Sequence, residues 1–294
     1  RDRDEAVSIM VDKANIAADT IKNNYDCCVA YYDEHLLEIS IEQRRLLGEF
    51  EPALQNDEFV MYLQPQVKRD GAAKGAEALV RWVHPSRGIL TPYAFIDILE
   101  NAGLIYKLDL YIWEKAAQKL AEWKEKGYGS YHISVNISTK DFYIIDIYET
   151  FTGLINKYGI AASNLHLEIT ETTLMTDFEK NMNIIHKLQG VGFRVEIDDF
   201  GSGYSSLNML KDISADVLKI DMGFLRKSEN EVKGQDILES IITLAGKIGM
   251  DVITEGVETK KQLDMLTMMG CHEFQGYYFS KPVPVSEFEE KYLV

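Results

Sequence analysis

Two adjacent aspartates, Asp198 and Asp199, close a short run in which Phe193, Val195 and Ile197 alternate with Arg194, Glu196 and Asp198. Neighbouring carboxylates repel one another and lose hydration on folding, a cost that a cation or a basic partner offsets. Other polar residues end or interrupt comparable apolar runs: Glu77, Asn136, Glu168, Lys219 and Glu255. In the run from Leu165 to Thr170, Leu165, Leu167 and Ile169 alternate with His166, Glu168 and Thr170, so in a strand Glu168 faces away from the apolar set. A single such residue is a helix cap, a turn former or a solvated charge as readily as a ligand. Together they make a set of hard oxygen donors with no Cys or His cluster beside them, which favours Mg²⁺ or Mn²⁺ over zinc or copper. A pair of such ions about 4 Å apart can activate water and stabilise the departing oxygen in an in-line attack on a phosphodiester.

That chemistry requires the run ends to meet. From Glu58 onward, short apolar runs alternate with longer helical patterns, and the strand candidates are 61–67, 76–82, 132–138, 165–170, 194–198, 217–221, 252–255 and 274–279. Thr91-Pro92 reads as an N-cap with Pro in the first helical position, and Gly127 closes the amphipathic run that contains Ile112, Leu120 and Trp123. Repeated strand-helix order implies an α/β fold with a parallel sheet, most simply closed as a (β/α)₈ barrel with reacting groups at the C-terminal strand ends. An open doubly wound sheet is the alternative, weakened by the lack of a GxGxxG fingerprint after an early strand.

The N-terminal stretch is read as a helix over 4–22, a short strand over 27–32 and a second helix over 34–54, acting as packing or connecting elements. His84-Pro85 is expected to be a loop whose histidine caps backbone groups. Met265, Met268 and Met269 are expected in the core, and Glu287, Glu289 and Glu290 on a solvated helix face. A formal charge of −16 argues against a general polynucleotide binder, since such proteins pair Lys and Arg with phosphates. Apolar residues make up 46%, without a run of membrane-spanning length, so a soluble domain is expected. Cys27, Cys28 and Cys271 form neither a disulfide framework nor a zinc spacing, which fits a reducing cytoplasm. The chain opens at Arg1 with neither an initiator Met nor a leader, as a piece of a longer, conceivably membrane-tethered, protein would.

The motifs in their order resemble the EAL phosphodiesterase family over roughly 52–294. They are Glu77-Ala78-Leu79-Val80-Arg81-Trp82, Ser134-Val135-Asn136-Ile137-Ser138, Leu167-Glu168-Ile169-Thr170-Glu171, Asp198-Asp199-Phe200-Gly201-Ser202-Gly203-Tyr204-Ser205-Ser206-Leu207, Lys219-Ile220-Asp221, Thr254-Glu255-Gly256-Val257-Glu258 and Gln275-Gly276-Tyr277. The resemblance implies a TIM-like (β/α)₈ barrel whose first strand runs antiparallel to the others. It also implies hydrolysis of cyclic di-GMP to linear 5′-pGpG, with Mg²⁺ or Mn²⁺ as cofactor and Ca²⁺ as inhibitor. By the same resemblance, Glu77, Asn136, Glu168 and Asp198 hold one metal, with Asp198 and Asp199 near the second. Lys219 and Glu255 position or deprotonate the attacking water, and which takes the proton is left open. Gln64, Arg81, Asp221, Gln275 and Pro282 border the substrate, Arg81 through a guanidinium that can pair two oxygens at once. Glu171 steadies the loop from Asp199 to Leu207, which couples metal binding to a homodimer contact, and Glu258 supports a neighbour. No position that inactive members lose is substituted, which favours an enzyme over a cyclic di-GMP receptor or a phosphodiesterase for another dinucleotide. Residues 1–51 resemble the tail of a degenerate GGDEF-type cyclase domain and a connecting helix, with the cyclase signature itself absent.

Overall fold

The computed structural model describes residues 6–21, 28–201, 213–223 and 231–293. Strand β1 (Phe59–Lys68) folds back on β2 (Ala73–His84) as an antiparallel pair running from Phe59 opposite Trp82 to Val67 opposite Ala73. Gly71, at a φ of 85°, makes the reversal in a left-handed conformation that a Cβ would penalise. A short arm, β3 (Gly88–Leu90), turns back on the end of β2.

Beyond it, β4 (His132–Ile137), β5 (Leu165–Thr170), β6 (Val195–Phe200), β7 (Val217–Asp221), β8 (Asp251–Glu255) and β9 (Glu273–Phe274) pair in order, all parallel, starting from β2. β9 then pairs antiparallel with β1 and closes an eight-stranded barrel, so the first strand is the antiparallel one. The two-residue β10 (Val283–Pro284) pairs antiparallel with β1 at Tyr62 and Leu63.

Helices sheathe the barrel where they carry an apolar stripe. The clearest is α4 (Ile105–Glu125; α1 to α3 are Val7–Asp19, Glu34–Gln55 and Ile96–Ala102), where Leu108, Ile112, Ala116, Leu120 and Trp123 recur at helical spacing and are buried. Gly127, at a φ of 91°, stops the chain after it as expected. Further round lie α5 (Asp141–Ile144), α6 (Ile147–Tyr158), α7 (Glu171–Thr176), α8 (Phe178–Val191), α9 (Glu231–Lys247), α10 (Lys260–Met268) and α11 (Val285–Tyr292). No helix among the described residues is long and apolar enough to cross a membrane.

Strand alternation divides the molecule into two kinds of interior. Val135, Leu167, Ile169, Val195, Ile197 and Leu218 are fully buried and belong to the apolar core. The intervening residues include Ser134, His166, Glu168, Glu196 and Lys219, equally buried but polar. They touch partners on distant strands, as Lys219 of β7 touches Glu77 of β2, so they fill the barrel lumen. The lumen is therefore a stack of charged and hydrogen-bonded groups, and the apolar core is the sleeve between strands and helices.

Several expectations change. The described residues 28–32 form no strand, and Cys27 lies outside the described residues. The last strand ends at Phe274 instead of Phe279. There Gly276 passes so close to Val257 that a Cβ would lie 2.3 Å from its backbone, and the chain turns. Thr91 makes no side-chain cap, and Pro92–Ala94 is a single 3₁₀ turn. His84 ends β2 and does receive the Ser86 N–H at Nδ1, but its Nε2 lies 2.9 Å from Glu49 of α2. Met268 is 81% exposed while Met265 and Met269 pack on the core. Glu289 is not simply solvated, since it accepts the Trp123 indole N–H at 2.8 Å, beside the stacked Phe288 ring. The helix α2 runs through positions 51 and 52, and its Leu46, Phe50 and Ala53 share the barrel's apolar core with Phe59 and Trp82.

Candidate active site

Parallel strands deliver their C-terminal ends to one mouth, and register decides which residues reach it together. Asn136 sits opposite Glu168, Thr170 opposite Asp198, and Asp221 opposite Glu255. At the centre is Lys219, with no solvent exposure. Its Nζ lies 2.8 Å from Glu168 Oε2, 2.8 Å from Glu255 Oε1, 3.4 Å from Asp198 Oδ1 and 3.5 Å from Glu77 Oε2. Asn136 Nδ2 donates to Glu77 Oε1 at 3.1 Å, and Gln275 Nε2 donates to Glu77 Oε2 at 2.5 Å. Gln275 also reaches Gln64 Oε1 at 3.3 Å, and Gln64 Nε2 donates to the Ser280 carbonyl.

Four carboxylates surround one ammonium, which leaves three negative charges uncompensated if all four are ionised. Burial, then Glu77, pushes the Glu168 carboxyl well up. Burial likewise pushes Glu255 well up, against the pull of Lys219. Burial acts to lower Lys219, but Asp198, Glu168, Glu255 and Glu77 together hold it well above the ordinary lysine value. Among the described residues Glu168 Oε1 has no hydrogen-bond partner, while Asp198 Oδ1 and Glu255 Oε1 have the ammonium as ion-pair partner without a directed hydrogen bond. Unsatisfied buried oxygens and excess negative charge are what divalent-ion donors look like without the ion. The donor set thus fits hard divalent cations.

Asp199 follows at a φ of 55°, a left-handed conformation that Asp tolerates better than most residues. Burial, then Asp198 and Asp221, raises its carboxyl. Asp221 turns back to accept the Gly223 N–H. Arg81 donates to the Val80 carbonyl at 2.8 Å and lies over the Tyr62 ring at 5.5 Å. Pro282 is half-buried just before β10. Glu171 opens α7, and the Glu258 N–H donates to Gln262 Oε1 in the capping box of α10. Residues 202–207 of the loop that follows Asp199 lie outside the described residues.

Two groups lie outside the sequence reading. The first is a lower layer of the lumen, built from His132, His166 and Glu196. Their alternation with apolar neighbours is visible in the sequence, but they lie toward the N-terminal strand ends, away from the mouth where a barrel places reacting groups. Burial raises Glu196, yet the His166 hydrogen bond and charge bring it down to about 2. Burial and His166 hold His132 well below the ordinary histidine range. The second is Asp109 of α4, which lines a cavity of about 270 Å³ beside Asn136 and lies within hydrogen-bond reach of Asp141. Only helix packing brings that pair together.

Comparison with known proteins gives a consistent match. A family model described as EAL domain matches residues 48–282. A Pseudomonas aeruginosa protein named bifunctional diguanylate cyclase/cyclic di-GMP phosphodiesterase MucR is 32% identical over 272 residues, covering 92% of this chain and 39% of its own length. Cyclic di-GMP phosphodiesterase PdeR of Escherichia coli is 33% identical over 240 residues, covering 82% of this chain and 36% of its own. The chain thus spans about two fifths of the length of these relatives. Among solved structures, the PaMucR phosphodiesterase in complex with c-di-GMP aligns with a TM-score of 0.78 at 33% identity, covering 83% of this chain and 99% of that one. The EAL enzyme Bd1971 in its cAMP and cyclic-di-GMP bound form aligns with a TM-score of 0.78 at 31% identity, covering 85% of this chain and 69% of that one.

Proposed function

The chain belongs to the EAL domain family, and on that premise we propose that it hydrolyses one phosphodiester bond of cyclic di-GMP to give linear 5′-pGpG. The observation that carries this reading is the lumen cluster of Glu77, Glu168, Asp198 and Glu255 around the buried Lys219 at the C-terminal mouth. The names of the relatives and the cyclic di-GMP held by the MucR structure support the substrate.

In this reading Glu77, Asn136, Glu168 and Asp198 would hold one Mg²⁺ or Mn²⁺, and Asp198 with Asp199 would serve the second. Bound there, the ions would activate water and neutralise charge on the phosphate. Lys219 holds the carboxylates in register and, with Glu255, faces the position of the attacking water. Gln275 fixes Glu77 by hydrogen bonding and carries Gln64 with it toward the substrate. Arg81, over the Tyr62 ring, presents its guanidinium for a phosphate, and Asp221 and Pro282 border a guanine. Glu171 steadies the loop after Asp199, Glu258 supports its neighbours, and two copies pair through the barrel. Residues 1–51 form the tail of a degenerate cyclase-type domain and its connecting helix.

The test is incubation of the purified chain with cyclic di-GMP and either Mg²⁺ or Mn²⁺, with products separated by chromatography. Formation of 5′-pGpG is the expected result. Binding without product in both ions would overturn hydrolysis and leave a receptor.

A further inference from the structure

The lower layer of the lumen is a second cluster with a different donor chemistry. His132, His166 and Glu196 come from the consecutive strands β4, β5 and β6, and each offers one ligand atom within 4.8 Å of the others. They are 8%, 4% and 0% exposed. His166 Nδ1 lies 2.5 Å from Glu196 Oε1, while Glu196 Oε2 is buried with no hydrogen-bond partner among the described residues. The two imidazole rings stack at 3.8 Å with planes 3° apart. Gly75 on β2 makes room for this, because a Cβ there would lie 2.4 Å from the His132 ring.

Each ring is also held from behind. His166 Nε2 faces the Ser163 carbonyl at 3.2 Å, and His132 Nε2 faces Gln66 Oε1 at 2.7 Å. Metal-bound histidines are oriented in this way, with one nitrogen on the ion and the other donating to a carbonyl or amide oxygen. A cavity of about 490 Å³ at the N-terminal strand ends is lined by all three residues and runs out to the exposed Ser130 and Lys74, which gives an ion a way in.

We propose that His132, His166 and Glu196 form a binding site for Zn²⁺ at the N-terminal end of the barrel, distinct from the carboxylate cluster at the opposite mouth. Two imidazoles and one carboxylate with a fourth position open to water are a borderline-soft N₂O set that suits Zn²⁺ and discriminates against Mg²⁺. Ligation requires both imidazoles neutral and the carboxylate ionised, so binding displaces the proton shared between His166 Nδ1 and Glu196 Oε1. One ring leaves the stack to aim its lone pair at the ion, moving toward the cavity both rings line. The ion ties three strands together two residues below Glu168 and Asp198, since His166 and Glu196 are their next inward neighbours.

The test uses Zn²⁺ alone as the probe on chelator-stripped, dialysed protein. Because the upper carboxylates can also take Zn²⁺, stoichiometry is measured in a Glu77→Gln, Asp198→Asn background by elemental analysis after desalting. One Zn²⁺ per chain is expected there, lost when His132→Gln is added. No retained Zn²⁺, or retention indifferent to His132→Gln, overturns the proposal. If the triple variant does not fold, zinc-edge X-ray absorption on the Glu77→Gln, Asp198→Asn protein decides: imidazole scattering supports the site, and an oxygen-only shell overturns it.

Discussion

Lys219 Nζ lies 2.8 Å from Glu168 Oε2, and neither side chain has any solvent exposure. An ion pair so enclosed is costly to leave half-made, because the carboxylate that loses its partner keeps its desolvation penalty. Lys219→Met is therefore expected to destabilise the metal-free chain by about 3–5 kcal/mol, the usual cost of removing one member of a buried pair. Saturating Mg²⁺ should recover part of that loss, since the ion takes over the neutralising role. Urea unfolding with and without Mg²⁺ checks both; equal stability of the two proteins in chelator would refute the central role given to Lys219.

Glu77 is the complementary case. It accepts hydrogen bonds from Asn136 and Gln275 and adds to a cluster already short of positive charge. Removing it relieves repulsion while deleting an ion ligand. Glu77→Ala is expected to keep the fold, seen as an unchanged circular dichroism spectrum, and to lower 5′-pGpG formation by more than about 100-fold, beyond what the loss of an outer-shell partner costs. Activity close to the parent chain would exclude Glu77 as a ligand.

The donor set also predicts an ion preference. Glu77, Asn136, Glu168, Asp198 and Asp199 offer only oxygen atoms, which Mg²⁺ and Ca²⁺ both accept, but Mg²⁺ needs near-octahedral ligands at about 2.0–2.1 Å and Ca²⁺ relaxes to about 2.3–2.6 Å with more of them. Ca²⁺ should then occupy the site in a geometry that does not support turnover. Titrating Ca²⁺ into a reaction running on Mg²⁺ should suppress product formation, and excess Mg²⁺ should restore it. Ca²⁺ that sustains the rate would contradict this.

The parts of this site that could be read from the sequence are those in which one strand carries the information. Alternation alone puts Glu168 opposite Leu167 and Ile169, and the Asp198-Asp199 pair announces itself by its unfavourable charge. The antiparallel first strand came only through the family resemblance, because alternation has no direction. The partners of Lys219 were not legible either: Glu77 is 142 positions away, and they meet only because the barrel closes with its particular stagger. Gly75 is a similar case, a glycine within a strand whose reason, the His132 ring, lies on another strand. Glu289 reads as one more exposed acid of a helix, yet the Trp123 indole lies against it. Helix-to-helix contacts of this kind depend on rotation about the helix axis, which periodicity fixes only to within a face.

Asp109 and Asp141 make a prediction about pH. Asp141 Oδ2 accepts the Ser138 N–H at 2.9 Å and the Ser138 hydroxyl at 2.8 Å, while its Oδ1 has no donor in reach unless Asp109 carries a proton. Burial, then the charge and hydrogen bond of Asp141, pushes Asp109 well above its ordinary value of 3.8. A carboxyl raised in the folded state contributes stability that is fully present below its unfolded value and is lost as pH rises through the folded one. The native chain should thus lose stability from this pair as pH climbs from about 4 toward neutrality and beyond. Asp109→Asn supplies a permanent donor to Asp141 and cannot ionise. Its melting temperature should match that of the parent chain near pH 4 and exceed it increasingly toward pH 8. A constant difference across that range, or a variant less stable at pH 8, would show that Asp109 is not held protonated by its neighbour.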